Sequence, residues 1–371
     1  MPLSRRTLLG TAAALAVLPA APACAAVSAA EPDLATPQGW LDWISAHRDR
    51  LALALHDTAG PRLAHRAATA QPLASAVKVT HLAAYATAVA EGSLDPREKV
   101  RVGDWERYYV PSDGGAHAQA LADFGIPADA SGLYAADPER TVTLEQLATA
   151  MITRSDSAVP DLLRDRLGIE QVRRAAETGG WPDADIRSLC AEYLFLLLPE
   201  TAPPPGTPLP QRREAGFALE RRYGSDQPMR NRVRDVVLNG PLPPYPTQEE
   251  WASGTAAASP AQLAAMHASI AEGRFLPPRA GDIARELLER SRRGNLPDGV
   301  AGIGYKGGSL PGVLTAGLTV RRTDGGVASG ALLVHGGISA EQLQHGDPGL
   351  PLLKAATDPA WRDRLGAALA G

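Results

Sequence analysis

Strand-forming sequence occurs only near the two ends of this chain, and the long stretch between them is mostly helical in pattern. Leu51 to His56 and Arg62 to Arg66 read as short strands joined by a turn at Thr58-Ala59-Gly60-Pro61. Three more strands are expected around Ile303 to Gly307, Leu314 to Arg321 and Ala328 to His335. A sheet assembled from these segments takes strands from both chain ends, with a helical lobe inserted between them. The expectation is an α/β (α+β) fold: an antiparallel sheet flanked by helices, plus an all-helical lobe.

The helices follow from spacing. Between Ser75 and Glu91, Leu82, Tyr85 and Val89 recur at three and four, and Gly92 closes the run. Trp40 to Ala46, Thr143 to Ile152, Ser157 to Leu167, Ser259 to Glu272 and Ala280 to Ser291 read as helices too, with a final one over Leu352 to Leu369. Two segments look inserted, near residues 104–140 and 199–250. The first is irregular and holds Trp105, Tyr108, Tyr109, Phe124 and Tyr134; a long loop packing on itself is favoured over the wall of a substrate cleft. In the second, residues 199 to 246 hold 11 of the 32 prolines, which predicts a loop-rich excursion and not a helix.

The N-terminus stands apart from the fold. Arg5 and Arg6 precede an apolar run from Leu8 to Leu18, and Ala23-Cys24-Ala25 offers a small-x-small cleavage site, the pattern of a signal peptide over residues 1–25. The adjacent arginines suggest the twin-arginine export route, and so a periplasmic or secreted protein. The apolar run is far shorter than the ~20 residues a bilayer needs, so no membrane span is expected. Residues 26–37 read as an Ala/Pro linker and 38–371 as the folded domain. Cys24 lacks the upstream leucine of a lipobox, which argues against a lipoprotein. Cleavage would leave Cys190 alone, so no intramolecular disulfide can form, and Cys190 reads as a buried small hydrophobe. A formal net charge of −4 leaves nothing basic to track a phosphate backbone, which excludes nucleic acid.

Chemistry enters at Ser75-Ala76-Val77-Lys78. A serine hydroxyl is a weak nucleophile, so a neighbouring group must take its proton. Residues three apart on a helix share a face, which brings the Lys78 amine within reach of the Ser75 hydroxyl. A lysine serves as a base once desolvation or nearby positive charge lowers its pKa toward working pH. By itself S-x-x-K is a common accident. Position gives it weight: Ser155-Asp156-Ser157 follows 80 residues later at the head of a helix, and Lys306-Gly307-Gly308-Ser309 follows after a further 151 on an expected strand.

These three motifs, in this order, resemble the S-x-x-K, S-D-N and K-T-G pattern of class A β-lactamases and penicillin-binding proteins. The resemblance implies a β-lactamase/transpeptidase-like fold over residues 38 to 370. It implies that Ser75 is acylated, that Lys78 takes its proton, that Ser155 relays a proton to the leaving group and that Lys306 supplies positive charge. The backbone N–H groups of Ser75 and Ser309 would form the oxyanion hole, with Ser157, Gly307, Gly308 and Ser309 along the substrate. The departures are as informative. Ser157 replaces the asparagine that grips a substrate amide, and Gly307 replaces the hydroxyl residue that contacts a substrate carboxylate. Glu192 stands near the expected place of the deacylating glutamate, but its surroundings lack the family's pattern.

Other signals are weaker. Gly302-Ile303-Gly304-Tyr305-Lys306-Gly307 satisfies G-x-G-x-x-G, yet a strand and not a helix follows it. No H-x-x-x-H pair on a helix points to a metal, and no cofactor is expected. His117 and His335 read as core or loop histidines. The absence of G-x-S-x-G argues against an α/β-hydrolase. The expected function is acyl transfer from a small molecule, peptide or ester to Ser75, β-lactamase-like but weak on β-lactams, with a better substrate lacking the carboxylate. The alternatives are a D-alanyl-D-alanine carboxypeptidase-like enzyme, an esterase, and a catalytically silent binding protein with the same pocket.

Overall fold

The computed structural model describes residues 31–58, 60–294 and 296–371. The expected signal peptide, Cys24 and the first part of the linker lie outside these residues. The chain begins with α1 (Pro37–Ala46), β1 (Leu51–Asp57), β2 (Leu63–His65) and a short β3 (Gln71–Pro72), which leads into α2 (Lys78–Glu91). Next come β4 (Lys99–Arg101), α3 (Val102–Glu106), α4 (Ala116–Asp123), β5 (Thr141–Thr143) and α5 (Leu144–Thr153). They are followed by α6 (Val159–Leu167), α7 (Ile169–Thr178), α8 (Leu189–Leu197), α9 (Leu209–Ser225), α10 (Gln227–Asn239) and α11 (Tyr245–Ser253). The chain returns through β6 (Ala257–Ala258), α12 (Pro260–Ala271) and α13 (Arg279–Glu289) to β7 (Val300–Leu310), β8 (Val313–Arg322) and β9 (Val327–His335). It ends in α14 (Ala340–His345), α15 (Gly349–Thr357) and α16 (Pro359–Ala370).

The five-stranded sheet runs β2-β1-β9-β8-β7 with every neighbour antiparallel, so strands from the two chain ends meet where β1 pairs with β9. Alternation along each strand divides the core in two. Leu51, Leu53 and Leu55 of β1 and Leu332 and Val334 of β9 face α1, α15 and α16 on one side. Ala54, Ala331 and Leu333 face the helical lobe, whose core is built around α2. β7 is left at the edge, beside the N-terminal end of α2.

Three expectations give way. The proline-rich segment is not a loop excursion, for it forms α9, α10 and α11. Pro210, Pro228 and Pro246 each lie in the first turn of one of these helices, where the missing N–H has no intrahelical partner to lose and the fixed φ suits the helix. The expected single C-terminal helix is two, broken at Asp358-Pro359, where Asp358 accepts from the Trp361 N–H and caps α16. The segment 104–140 is partly helical as well, carrying the end of α3 and all of α4.

Candidate active site

Ser75 lies in a 3-10 turn, Ala74–Val77, that runs directly into α2, and Lys78 opens α2. Ala74 just before it takes a left-handed φ of 47°, which swings the chain from β3 into the turn. Gly308 of β7 faces Ser75 so closely that a Cβ there would stand 2.5 Å from the Ser75 backbone nitrogen and 2.8 Å from the Leu73 carbonyl oxygen. Thr315 of β8 donates its hydroxyl to that same Leu73 carbonyl at 2.9 Å, fastening the turn to the sheet.

Lys78 is wholly buried, and its amine donates to Ser75 Oγ at 2.9 Å, Ser157 Oγ at 3.1 Å and the Ser155 carbonyl, with Ser155 Oγ at 3.3 Å. Burial pulls its pKa down to about 8, against the carboxylates of Asp156, Asp113 and Asp161 that raise it. On the far side of Ser155, Lys306 donates to Ser155 Oγ at 2.9 Å and to the Gly307 carbonyl at 2.6 Å. Burial first and the charge of Lys78 second hold Lys306 well below the usual lysine range. A continuous line of polar atoms thus runs Ser75, Lys78, Ser155, Lys306 across three elements.

Ser155 sits between α5 and α6 with φ at +67°, a conformation that costs a non-glycine residue about 1–3 kcal/mol. What holds it is Asp156. Its Oδ1 accepts the Ala158 and Val159 N–H groups at 2.9 and 3.0 Å, capping α6, and also the Trp105 indole N–H at 3.1 Å. Its Oδ2 meets His117 Nδ1 at 3.0 Å, and His117 Nε2 meets Glu106 Oε1 at 3.2 Å. Burial opposes charge on His117, but the bonds to Asp156 and Glu106 outweigh it and lift its pKa to about 9. The rings of Trp105 and Tyr109 pack on His117 with centroids 4.3 and 4.0 Å away. The aromatic cluster and His117 are therefore core beneath the Ser155 loop, as their sequence context suggests.

The remaining expected residues scatter more widely. Ser157 joins the Lys78 network and has the Tyr193 hydroxyl as a further partner. Glu192, on α8, lines the small recess beside Ser75 but bonds to neither Ser75 nor Lys78. Its carboxylate takes Arg212 of α9 at 2.6 and 3.2 Å and Arg187 at 3.4 Å. Gly307 leaves space that Tyr305 fills, since a Cβ at 307 would stand 2.3 Å from the Tyr305 hydroxyl. Arg292 lies over the Tyr305 ring at 4.7 Å and 3.6 Å from Asp347. Tyr193 and Tyr305 were not singled out in the sequence. The signal for Tyr305 was available, because residues two apart on a strand share a face. Tyr193 had none, since α8 is apolar on every face apart from Glu192 and shows no periodicity to orient it.

A family model described as the β-lactamase enzyme family matches residues 42–342. The chain belongs to that family. Solved structures share the fold of this β-lactamase-family protein at low identity. The β-lactamase of Sphaerobacter thermophilus is 16% identical with a TM-score of 0.54, over 86% of this chain and 97% of that one. A β-lactamase of Chitinophaga pinensis is 14% identical with a TM-score of 0.52, over 84% and 94%. A variant of the last common ancestor of Gram-negative class A β-lactamases is 17% identical with a TM-score of 0.51, over 84% and 94%. No curated protein matches the chain. Family and fold together make it a serine hydrolase. No helix among the described residues is long and apolar enough to cross a membrane.

Proposed function

We propose that this β-lactamase-family enzyme is an exported hydrolase that forms an acyl-enzyme at Ser75 and releases it slowly. The observation that carries this reading is the 2.9 Å contact between the Ser75 hydroxyl and a buried Lys78 whose pKa lies near 8. In its neutral form Lys78 takes the Ser75 proton as the hydroxyl attacks a carbonyl carbon. The backbone N–H groups of Ser75 and Ser309 receive the developing oxyanion. Ser155, bridging Lys78 and Lys306, passes a proton to the leaving group. Water then splits the acyl-enzyme, and Glu192, which lines the small recess beside Ser75, is engaged by Arg212 and Arg187 and so gives it little help.

Labelling with a fluorescent fluorophosphonate and a fluorescent penicillin tests the nucleophile. Ser75→Ala abolishes both labels, and Lys78→Ala slows them by several orders of magnitude while the circular dichroism stays that of the wild type. Undiminished labelling of Ser75→Ala ends the proposal. Export is carried by Arg5, Arg6 and the apolar run after them. N-terminal sequencing of secreted protein should begin near Ala26, and an acylated Cys24 at the terminus would make it a lipoprotein instead.

A further inference from the structure

The cleft on Ser75 has a volume of about 480 Å³. Along β7 its wall is mixed, with Lys306, Tyr305 and the nearby Arg292 beside Leu310, Pro311 and Leu314. Opposite stand Leu196 and Leu197 of α8 and, above them, Leu242, Pro243, Tyr245 and Trp251 of the proline-rich segment. Of these six side chains only the Tyr245 hydroxyl and the Trp251 indole N–H are polar, and both are bonded to backbone. The Gly312 N–H donates to Tyr245 Oη at 3.1 Å, and Trp251 Nε1 donates to the Glu192 carbonyl at 2.8 Å.

Those two bonds also make the wall a fixed roof. Tyr245 ties it to the turn between β7 and β8, and Trp251 ties it to α8, where its ring lies 5.6 Å from that of Tyr193. Gln248 Nε2 donates to the Pro243 carbonyl at 2.7 Å and closes the loop on itself. A second, smaller recess of about 50 Å³ opens beside Ser75, where Val77, Leu189, Tyr193, Trp251 and Leu310 line it together with Arg187, Ser188, Glu192 and Thr255. It lies toward the roof, away from Lys306 and Ser155. Ser75, Tyr193, Trp251 and Leu310 line both this recess and the main cleft, which joins the two beneath α11.

On the reading that Ser75 is the acylated residue, we propose that this roofed region is an acyl-chain subsite, and that the preferred substrates carry a linear apolar acyl group. The polar leaving group lies toward Lys306 and Ser155, from which it takes its proton. The acyl chain runs the other way, between Leu196–Leu197 and Leu242–Trp251. Burying a methylene in such a wall raises kcat/KM about fourfold, until the cavity is full.

The test is a series of p-nitrophenyl esters, from acetate through butyrate and hexanoate to octanoate, with wild type, Leu242→Trp and Leu242→Asp. In the wild type kcat/KM climbs steeply with chain length. Leu242→Trp fills the cavity and Leu242→Asp charges its wall, so in both the octanoate-to-acetate ratio falls by tenfold or more. A flat series in a wild type that a small fluorophosphonate still labels at Ser75 overturns the subsite and leaves the nucleophile standing. Absence of both labelling and ester hydrolysis overturns the two together.

Discussion

A lysine can accept the Ser75 proton only while it is uncharged, so the groups around Lys78 set the pH at which the site works. Burial lowers Lys78 to about 8, and Asp156, Asp113 and Asp161 act in the opposite sense. Lys306 is its neighbouring amine beyond Ser155, and His117 lies on the other side of Asp156. Acylation, read as kcat/KM, should rise as pH passes through about 8, because the working form lies above that pKa. Asp113 accepts from the Gly115 and His117 backbone N–H groups, and an asparagine oxygen can take one of these bonds. Asp113→Asn removes a carboxylate that favours the ammonium form, so the rising limb should move to lower pH. A flat profile, or a limb that moves up, would show that Lys78 is not the titrating base. At this scale much was legible, since Ser75, Lys78, Ser155 and Lys306 announce themselves by type and spacing. Asp113 did not: it lies in an irregular loop, and its importance comes from burial, which no spacing reveals.

Among elements, β7 bears the departure at Gly307. Its two consecutive glycines have different reasons. Gly308 is required by the approach of the Ser75 backbone, at 2.5 Å from any added Cβ, and neither partner is free to move. Gly308→Ala should therefore displace the nucleophile and cost roughly 10²-fold or more in acylation, as misplacements near 1 Å do. Gly307 instead makes room for a side chain, the Tyr305 phenol at 2.3 Å from its absent Cβ. Gly307→Thr restores the family hydroxyl but collides with that ring, so alone it should lower the melting temperature and not speed penicillin labelling. Paired with Tyr305→Leu it fits, and labelling should rise. An unperturbed Gly307→Thr would mean that the phenol turns away freely. The sequence shows the missing hydroxyl plainly; it does not show what fills the space, because that depends on a neighbour's rotamer. The same limit explains the prolines of 199 to 246. Their density suggests broken chain, while their places in the first turns of α9, α10 and α11 make them helix starts, a distinction of one or two residues.

Across the whole molecule, the proline-rich segment is held to the lobe that carries the site by ion pairs, and Glu192 is one of the joints. Successive arginines of α9 are divided between two carboxylates, Arg212 to Glu192 at 2.6 Å and Arg213 to Asp185 at 3.1 Å. Farther along α9, Glu220 meets Arg164 of α6 at 2.5 Å, in a pair buried together with Asp161. Held by Arg212 and Arg187, Glu192 lines the small recess beside Ser75, and the expected role of this carboxylate is the docking of α9 rather than deacylation. The consequence is kinetic. General-base assistance is worth roughly 10²–10⁴-fold, and an acyl-enzyme lacking it is made faster than it is cleared. With a chromogenic cephalosporin the wild type should show a burst near one equivalent and then a slow steady state. Glu192→Gln keeps the shape of the side chain but loses the charge that Arg212 and Arg187 require. It should lower the melting temperature while leaving the burst and the steady-state rate per folded molecule as they were. A fast steady state that collapses in Glu192→Gln would instead make the joint a catalyst, and would mean that its arginines release it once substrate is bound.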